Sequence, residues 1–172
     1  MAALQDDCLL CAMIKGQIPV LKVLETEKTL VFLDIGPVAE GHTLIVPKCE
    51  VLRMLAFCVM LMEGGGPDHC KTMDEVPDGY LMDILPLAKK VALALGIENY
   101  NVLQNNGRIA HQVSPLSLKE FAADGLSQHI FHVHFHLIPK PREKEGLGVG
   151  WPRVEPGLDA LKKVHERVLS KL

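Results

Sequence analysis

Polar and apolar positions alternate with a period of two over residues 130–138, where His132, His134 and His136 interleave with Val133, Phe135 and Leu137. A strand over this stretch puts the three imidazoles on one face and the three apolar side chains on the other, so one face packs and the other is free for chemistry. Residues 20–24 and 29–33 read as two further strands around the polar connection Glu25-Thr26-Glu27-Lys28, after a turn at Gly16-Gln17-Ile18-Pro19. Residues 41–47 predict another strand, closed by Pro47, and residues 100–104 one that runs into the turn Asn105-Asn106-Gly107. Between these last two the period changes. Leu81, Ile84, Leu85, Ala88, Val91, Ala92 and Leu95 recur at helical spacing before a stop at Gly96, which predicts a helix over 80–95 that Pro86 should kink or delay. Residues 160–172 predict a short amphipathic helix, suited to docking on the sheet or covering a partner. Short connections between strands favour an antiparallel sheet over repeated parallel crossover units.

Two stretches interrupt this plan. Residues 50–68 are hydrophobic and end in Gly64-Gly65-Gly66-Pro67, and residues 114–129 are amphipathic around Phe121 and Leu126. The apolar run near residues 51–62 contains Arg53 and is too short to span a bilayer. The 172 residues suffice for one domain carrying insertions, and 48% hydrophobic with 23% charged residues describes a soluble globular chain. A net charge of −3 gives no general attraction to nucleic acid, while leaving room for a locally positive phosphate site. The N-terminus has no basic region followed by an apolar run, so cytosol is the expected compartment, with the nucleus also open. Five cysteines do not make an even extracellular set, which favours thiols or a metal over disulfides.

The histidine run carries the candidate chemistry. A neutral imidazole attacks phosphorus, and an imidazolium donates a proton or stabilises phosphate charge. Alternate residues of a strand lie roughly 7 Å apart, a gap that a phosphate with its substituents spans. His134 is the natural nucleophile, with a neighbour on each side. The Asn105-Asn106-Gly107 turn and Gln112 offer polar groups for anionic oxygens. Lys48 and Lys140 are basic but sit beside proline-terminated strands, where lysines are commonly solvated. Alternating histidines also bind metals, so the triplet alone leaves phosphate chemistry and metal binding both open.

Five blocks in order settle more than the triplet does. Phe32-Leu33-Asp34-Ile35, Gly41-His42-Thr43-Leu44-Ile45-Val46-Pro47-Lys48, Gln104-Asn105-Asn106-Gly107, the triplet with Leu137-Ile138-Pro139-Lys140-Pro141, and Gly148-Val149-Gly150-Trp151-Pro152 together resemble the histidine triad nucleotide-binding (HIT) family. The nearest likeness is to its small fungal-type nucleoside phosphoramidases. The resemblance implies an α+β fold: a five-stranded antiparallel sheet with a main helix and a short C-terminal helix, dimerising into a larger continuous sheet. It spans residues 8–172 as a single domain, apart from the insertions 50–68 and 114–129. It also implies hydrolysis of the phosphorus–nitrogen bond of an adenosine or guanosine phosphoramidate, with His134 forming a nucleotidyl intermediate.

By the same resemblance His132 orients the central ring through its carbonyl, His136 serves the phosphate and leaving group, and His42 completes the histidine network. Asp34 implies a ribose contact, Phe32 and Ile35 lie near the base, Asn105 and Gln112 face phosphate, and Trp151 approaches the site across the dimer. Phe32 and Ile35 also fit a plain core role. Catalysis requires no cofactor, but Cys8 and Cys11, with His69 and His132 once residues 50–68 are set aside, match a structural zinc site of some family members. No membrane association is implied.

Excising residues 50–68 restores a family-like Pro-Lys-x-His block, and excising 114–129 restores the short approach to the triplet. Retained introns, lineage-specific insertions or a gene-model error all account for this. The rival functions are a dinucleoside polyphosphate hydrolase and a nucleotide-binding interaction protein whose catalysis is blocked by the second insertion.

Overall fold

The computed structural model describes residues 8–48, 70–112, 132–150 and 152–172. Residues 50–68 and 114–129, with His69 and Trp151, lie outside them. Five strands, β1 (Lys22–Glu25), β2 (Thr29–Leu33), β3 (Thr43–Pro47), β4 (Tyr100–Gln104) and β5 (Phe135–Pro139), form one sheet in the order β1-β2-β3-β5-β4. Every pairing is antiparallel. The helices are α1 (Leu9–Ile14), α2 (Asp78–Leu95) and α3 (Leu158–Leu169). Among the described residues no helix is long and apolar enough to cross a membrane.

Strand alternation sorts the core into two layers. Val31, Ile45, Phe135 and Leu137 point to one face, where they meet Ile84, Leu87, Ala88, Val91 and Ala92 of α2. Leu30, Phe32, Leu44 and Val46 point to the other and pack with Leu10 and Met13 of α1. Val133 joins the α2 side although it precedes β5, so the predicted separation of apolar and imidazole faces holds along the whole run.

Three elements differ most from the pattern-based expectation, while β1, β3 and α3 depart from the expected 20–24, 41–47 and 160–172 only at their ends. Pairing of the histidine run begins at Phe135, not at residue 130. Ahead of the ladder, Val133 is held instead by its N–H donating to the Cys70 carbonyl at 2.9 Å. Helix α2 starts at Asp78 and continues through Pro86 to a left-handed Gly96. Met82, whose carbonyl loses its donor to the proline, is itself 75% exposed, which removes most of the desolvation cost. The buried stripe takes in Leu87 and leaves Leu85 outside, 67% exposed. Helix α1 was not anticipated: Cys8 caps it, its sulfur accepting from the Cys11 N–H at 3.5 Å. The C-terminal helix forms but buries none of its residues.

Candidate active site and thiol–imidazole cluster

The β2–β3 and β3–β5 registers bring the site together. Phe32 lies opposite Leu44, and Leu44 opposite His136, so the three side chains share one face. Two strand spacings place Phe32 roughly 10 Å from His136. The β2–β3 connection is closed by the Asp34 N–H donating to the His42 carbonyl at 2.9 Å, which fixes these two residues beside the row.

Hydrogen bonds assign the imidazole tautomers. His134 Nδ1 lies 2.7 Å from the His132 carbonyl oxygen, so Nδ1 carries the proton and Nε2 keeps its lone pair. The Val38 N–H donates to His42 Nδ1 at 3.2 Å, leaving the His42 proton on Nε2, which donates to His136 Nδ1 at 3.0 Å. In neutral His136 the proton therefore sits on Nε2. The His134 and His136 rings meet edge to face with centroids 4.9 Å apart. Burial pushes the pKa of His134 down, and burial followed by repulsion from His134 and His42 pushes His136 to about 3. His42 is also lowered by burial, against an opposing pull from Asp34. Without a ligand the cluster is neutral at physiological pH, which keeps the Nε2 lone pair of His134 available.

Asp34 is buried, its Oδ1 accepting the Gly36 N–H at 2.8 Å. Its Oδ2 lies 3.4 Å from His42 Nδ1 but has no hydrogen-bond partner among the described residues. An unsatisfied buried carboxylate oxygen beside the histidine network is a ready acceptor for a ligand hydroxyl. Phe32 is buried and Ile35 is 54% exposed.

The turn before the second insertion is braced from within. Asn105 donates through Nδ2 to the carbonyls of Ala110 and His111, while its buried Oδ1 has no hydrogen-bond partner among the described residues. Gln112 is buried, its Oε1 accepting the Gly107 N–H at 2.6 Å and its Nε2 donating to the Lys71 carbonyl. Both polar ends of Gln112 are thus engaged inside the chain. Between them His111 adopts a left-handed φ of 59°, uncommon for a residue with a side chain, which sequence pattern alone does not signal. Lys48 and Lys140 are engaged with other partners: Lys48 pairs with Glu25, and Lys140 donates to the carbonyls of Glu143, Glu145 and Leu147.

A second cluster lies behind His132. Its Nδ1 is 3.4 Å from Cys11 Sγ and 3.7 Å from Cys8 Sγ, and its Nε2 is 3.0 Å from the Pro47 carbonyl oxygen. Donation to Pro47 requires the proton on Nε2, so the Nδ1 lone pair faces the two sulfurs. All three residues are buried, and their ligand atoms lie within 4.8 Å of one another. The Cys8 thiol is lowered to about 4, chiefly by its hydrogen bond with Cys11, which favours the thiolate that soft metals bind. The donor set therefore fits a metal ion. Lys48 and Cys70, the residues flanking the first break, adjoin contacts to the same stretch: Pro47 accepts from His132, and Cys70 accepts from Val133.

Fold and site together define an α+β protein with a tautomer-selected imidazole beside a linked imidazole pair. The HIT domain model matches residues 15–58. The chain is 42% identical to adenosine 5'-monophosphoramidase hnt1 of Schizosaccharomyces pombe, covering 96% of this chain and 98% of that protein. It is 43% identical to the HNT1 enzyme of the same name in Candida albicans, over 96% and 91% of the two chains. The crystal structure of a histidine triad nucleotide-binding protein from Candida albicans superposes with a TM-score of 0.72 at 42% identity, covering 95% of this chain and 96% of that one. A HIT family member from Bacillus subtilis gives 0.68 at 26% identity, over 97% and 98%. The chain belongs to the HIT family, close to its fungal phosphoramidase branch.

Proposed function

We propose that this protein is a purine nucleoside 5'-monophosphoramidase, cleaving the bond between an α-phosphorus and an amine nitrogen. The observation that carries the reading is the 2.7 Å bond from His134 Nδ1 to the His132 carbonyl, which commits the Nε2 lone pair to attack. Sequence identity of 42–43% to fungal adenosine 5'-monophosphoramidases supports the substrate class. Nε2 of His134 forms a bond to phosphorus as the phosphorus–nitrogen bond breaks. The negative phosphate favours protonation of His136, and the resulting imidazolium hands its proton to the leaving amine. Water then attacks the nucleotidyl-histidine, losing a proton to His136, and the nucleoside monophosphate departs with the His134 lone pair restored. Asp34 Oδ2 accepts from a ribose hydroxyl, Phe32 and Ile35 border the base, and Asn105 lies beside the phosphate. Gln112 acts on the phosphate only through the loop it braces.

Cys8, Cys11 and His132 hold zinc, with His69 as the remaining candidate ligand. Zinc bound there would cross-link the N-terminal helix to the histidine run without touching the reacting atoms. Two copies pair through the outer edge of β4, where Tyr100 and Val102 are 41% and 40% exposed. An edge strand with apolar side chains at its rim suits continuation of the sheet in a second copy.

Incubation with an adenosine phosphoramidate should release adenosine monophosphate and pass through an adduct on His134. His134→Ala should lower kcat by about 10⁴ or more, as loss of a nucleophile commonly does. Normal turnover by that variant would overturn the assignment. Faster release from an adenosine polyphosphate than from the phosphoramidate would select the dinucleoside polyphosphate hydrolase, and nucleotide binding without turnover the interaction protein.

A further inference from the structure

His132 joins the thiol cluster to the nucleophile through opposite ends of one residue. Its ring lies against Cys11 Sγ at 3.4 Å and Cys8 Sγ at 3.7 Å, and its carbonyl oxygen lies 2.7 Å from His134 Nδ1. The ring is also tied to the end of β3 through the Pro47 carbonyl at 3.0 Å. Ladder pairing with β3 and β4 starts only at Phe135, so the carbonyl that selects the His134 tautomer precedes the regular sheet. Its direction is set by the anchored ring on one side and, within the same planar peptide group, by the Val133 N–H donating to the Cys70 carbonyl.

The consequence is mechanical. An unliganded imidazole Nδ1 beside two sulfurs is a loose contact, whereas ligand bonds to a common ion fix the ring within a few tenths of an ångström. If the ring shifts, the carbonyl shifts with it, and His134 can place its proton on either nitrogen. Only the form protonated on Nδ1 has a lone pair on Nε2.

We propose that Cys8 and Cys11 are positioning residues for catalysis: with zinc held between them and His132, they hold the His132 carbonyl against His134 Nδ1 and so keep Nε2 the reactive nitrogen. The inference rests on the reading of His134 as nucleophile. It goes beyond a stabilising metal, because it makes the tautomer of a side chain that does not touch the ion depend on occupancy of the cluster. A zinc that only stabilised the fold would change unfolding and leave the His134 tautomer alone.

The test follows imidazole ¹⁵N shifts of the full-length protein, at a pH where the rings are neutral, with Zn²⁺ bound and after removal by a chelator. The His134 signals should report a single Nδ1-protonated tautomer with zinc and a mixture without it, returning on addition of Zn²⁺. Cys8→Ser and Cys11→Ser should show the same mixture, with kcat lower by about tenfold to a hundredfold and KM nearly unchanged, the scale expected for a small displacement of a reacting group. If either variant fails to fold, the stripped wild-type protein supplies the measurement. An unchanged His134 signal in folded, zinc-free protein, or failure of the protein to take up Zn²⁺ at all, would overturn the proposal. A zinc-dependent tautomer in a protein that turns over no phosphoramidate would support this coupling and count against the phosphoramidase reading instead.

Discussion

His132 and His136 are the same side chain on the same face, four residues apart, yet they live at chemically opposite ends of the site. His132 is 1% exposed, its ring between two sulfurs and a carbonyl, in a setting that suits an anchor. His136 is partly exposed and linked to His42 through Nδ1, which leaves Nε2 for a ligand. The difference teaches that the neighbours on adjoining elements, rather than the ring itself, divide the labour: α1 supplies the thiols at one end, and the β2–β3 connection supplies His42 and Asp34 at the other.

That contrast can be broken most forcefully at His136. His136→Gln should lower kcat by about 10² to 10⁴, the usual contribution of a positioned acid, while zinc content stays at the wild-type level. Loss of zinc in that variant would show the two ends to be one unit. The complementary change, His132→Ala, should cost about 3 kcal/mol of stability, since it empties a buried site and removes the donor to Pro47. Denaturant unfolding measures this, and wild-type stability would deny His132 its anchoring role.

Acid separates the ends in another way. His136 is held at about 3 in the folded protein and has an ordinary value of 6.5. Between these values the unfolded chain binds more protons, so its contribution to stability is fully present above about pH 6.5 and is lost as pH falls toward 3. A melting temperature that rises on acidification across this window would contradict the burial of the His136 ring. The mildest probe is Asp34→Asn. If Oδ2 accepts a ribose hydroxyl, KM should rise by about tenfold to a hundredfold with kcat nearly intact, and a substrate lacking both ribose hydroxyls should be insensitive to the change.

Much of the framework is legible along the chain because its signals are local. Strands β2 and β4 coincide with the expected residues 29–33 and 100–104, and α2 ends at the expected stop, Gly96, which adopts a left-handed conformation. The α1 helix escaped because six residues carry less than two turns of pattern, although Leu9, Leu10, Met13 and Ile14 do recur at helical spacing. Leu85 fits the apolar stripe by spacing but lies outside it, since which side of a wide stripe meets the sheet depends on how the helix sits across the strands. Gln112 illustrates the same limit. Its amide suits a phosphate as well as it suits the backbone of its own loop, and only the positions of Gly107 and Lys71 direct it to the latter.

The sequence by itself determined the alternation that puts three imidazoles on one face, the succession along the chain of most of the strands and the main helix, and the family to which they belong. These follow from a two-residue period and from short blocks, information contained within a few neighbouring positions. The tertiary structure decided which proton each ring carries, which ring meets the thiols, and which oxygen of Asp34 is left for a ligand. The meeting of His132 with the thiols and the link between His42 and His136 span 124 and 94 residues, and such partners become neighbours only when the sheet assembles. The short-range bonds to the His134 and Asp34 side chains depend on the backbone that the assembled strands hold in place.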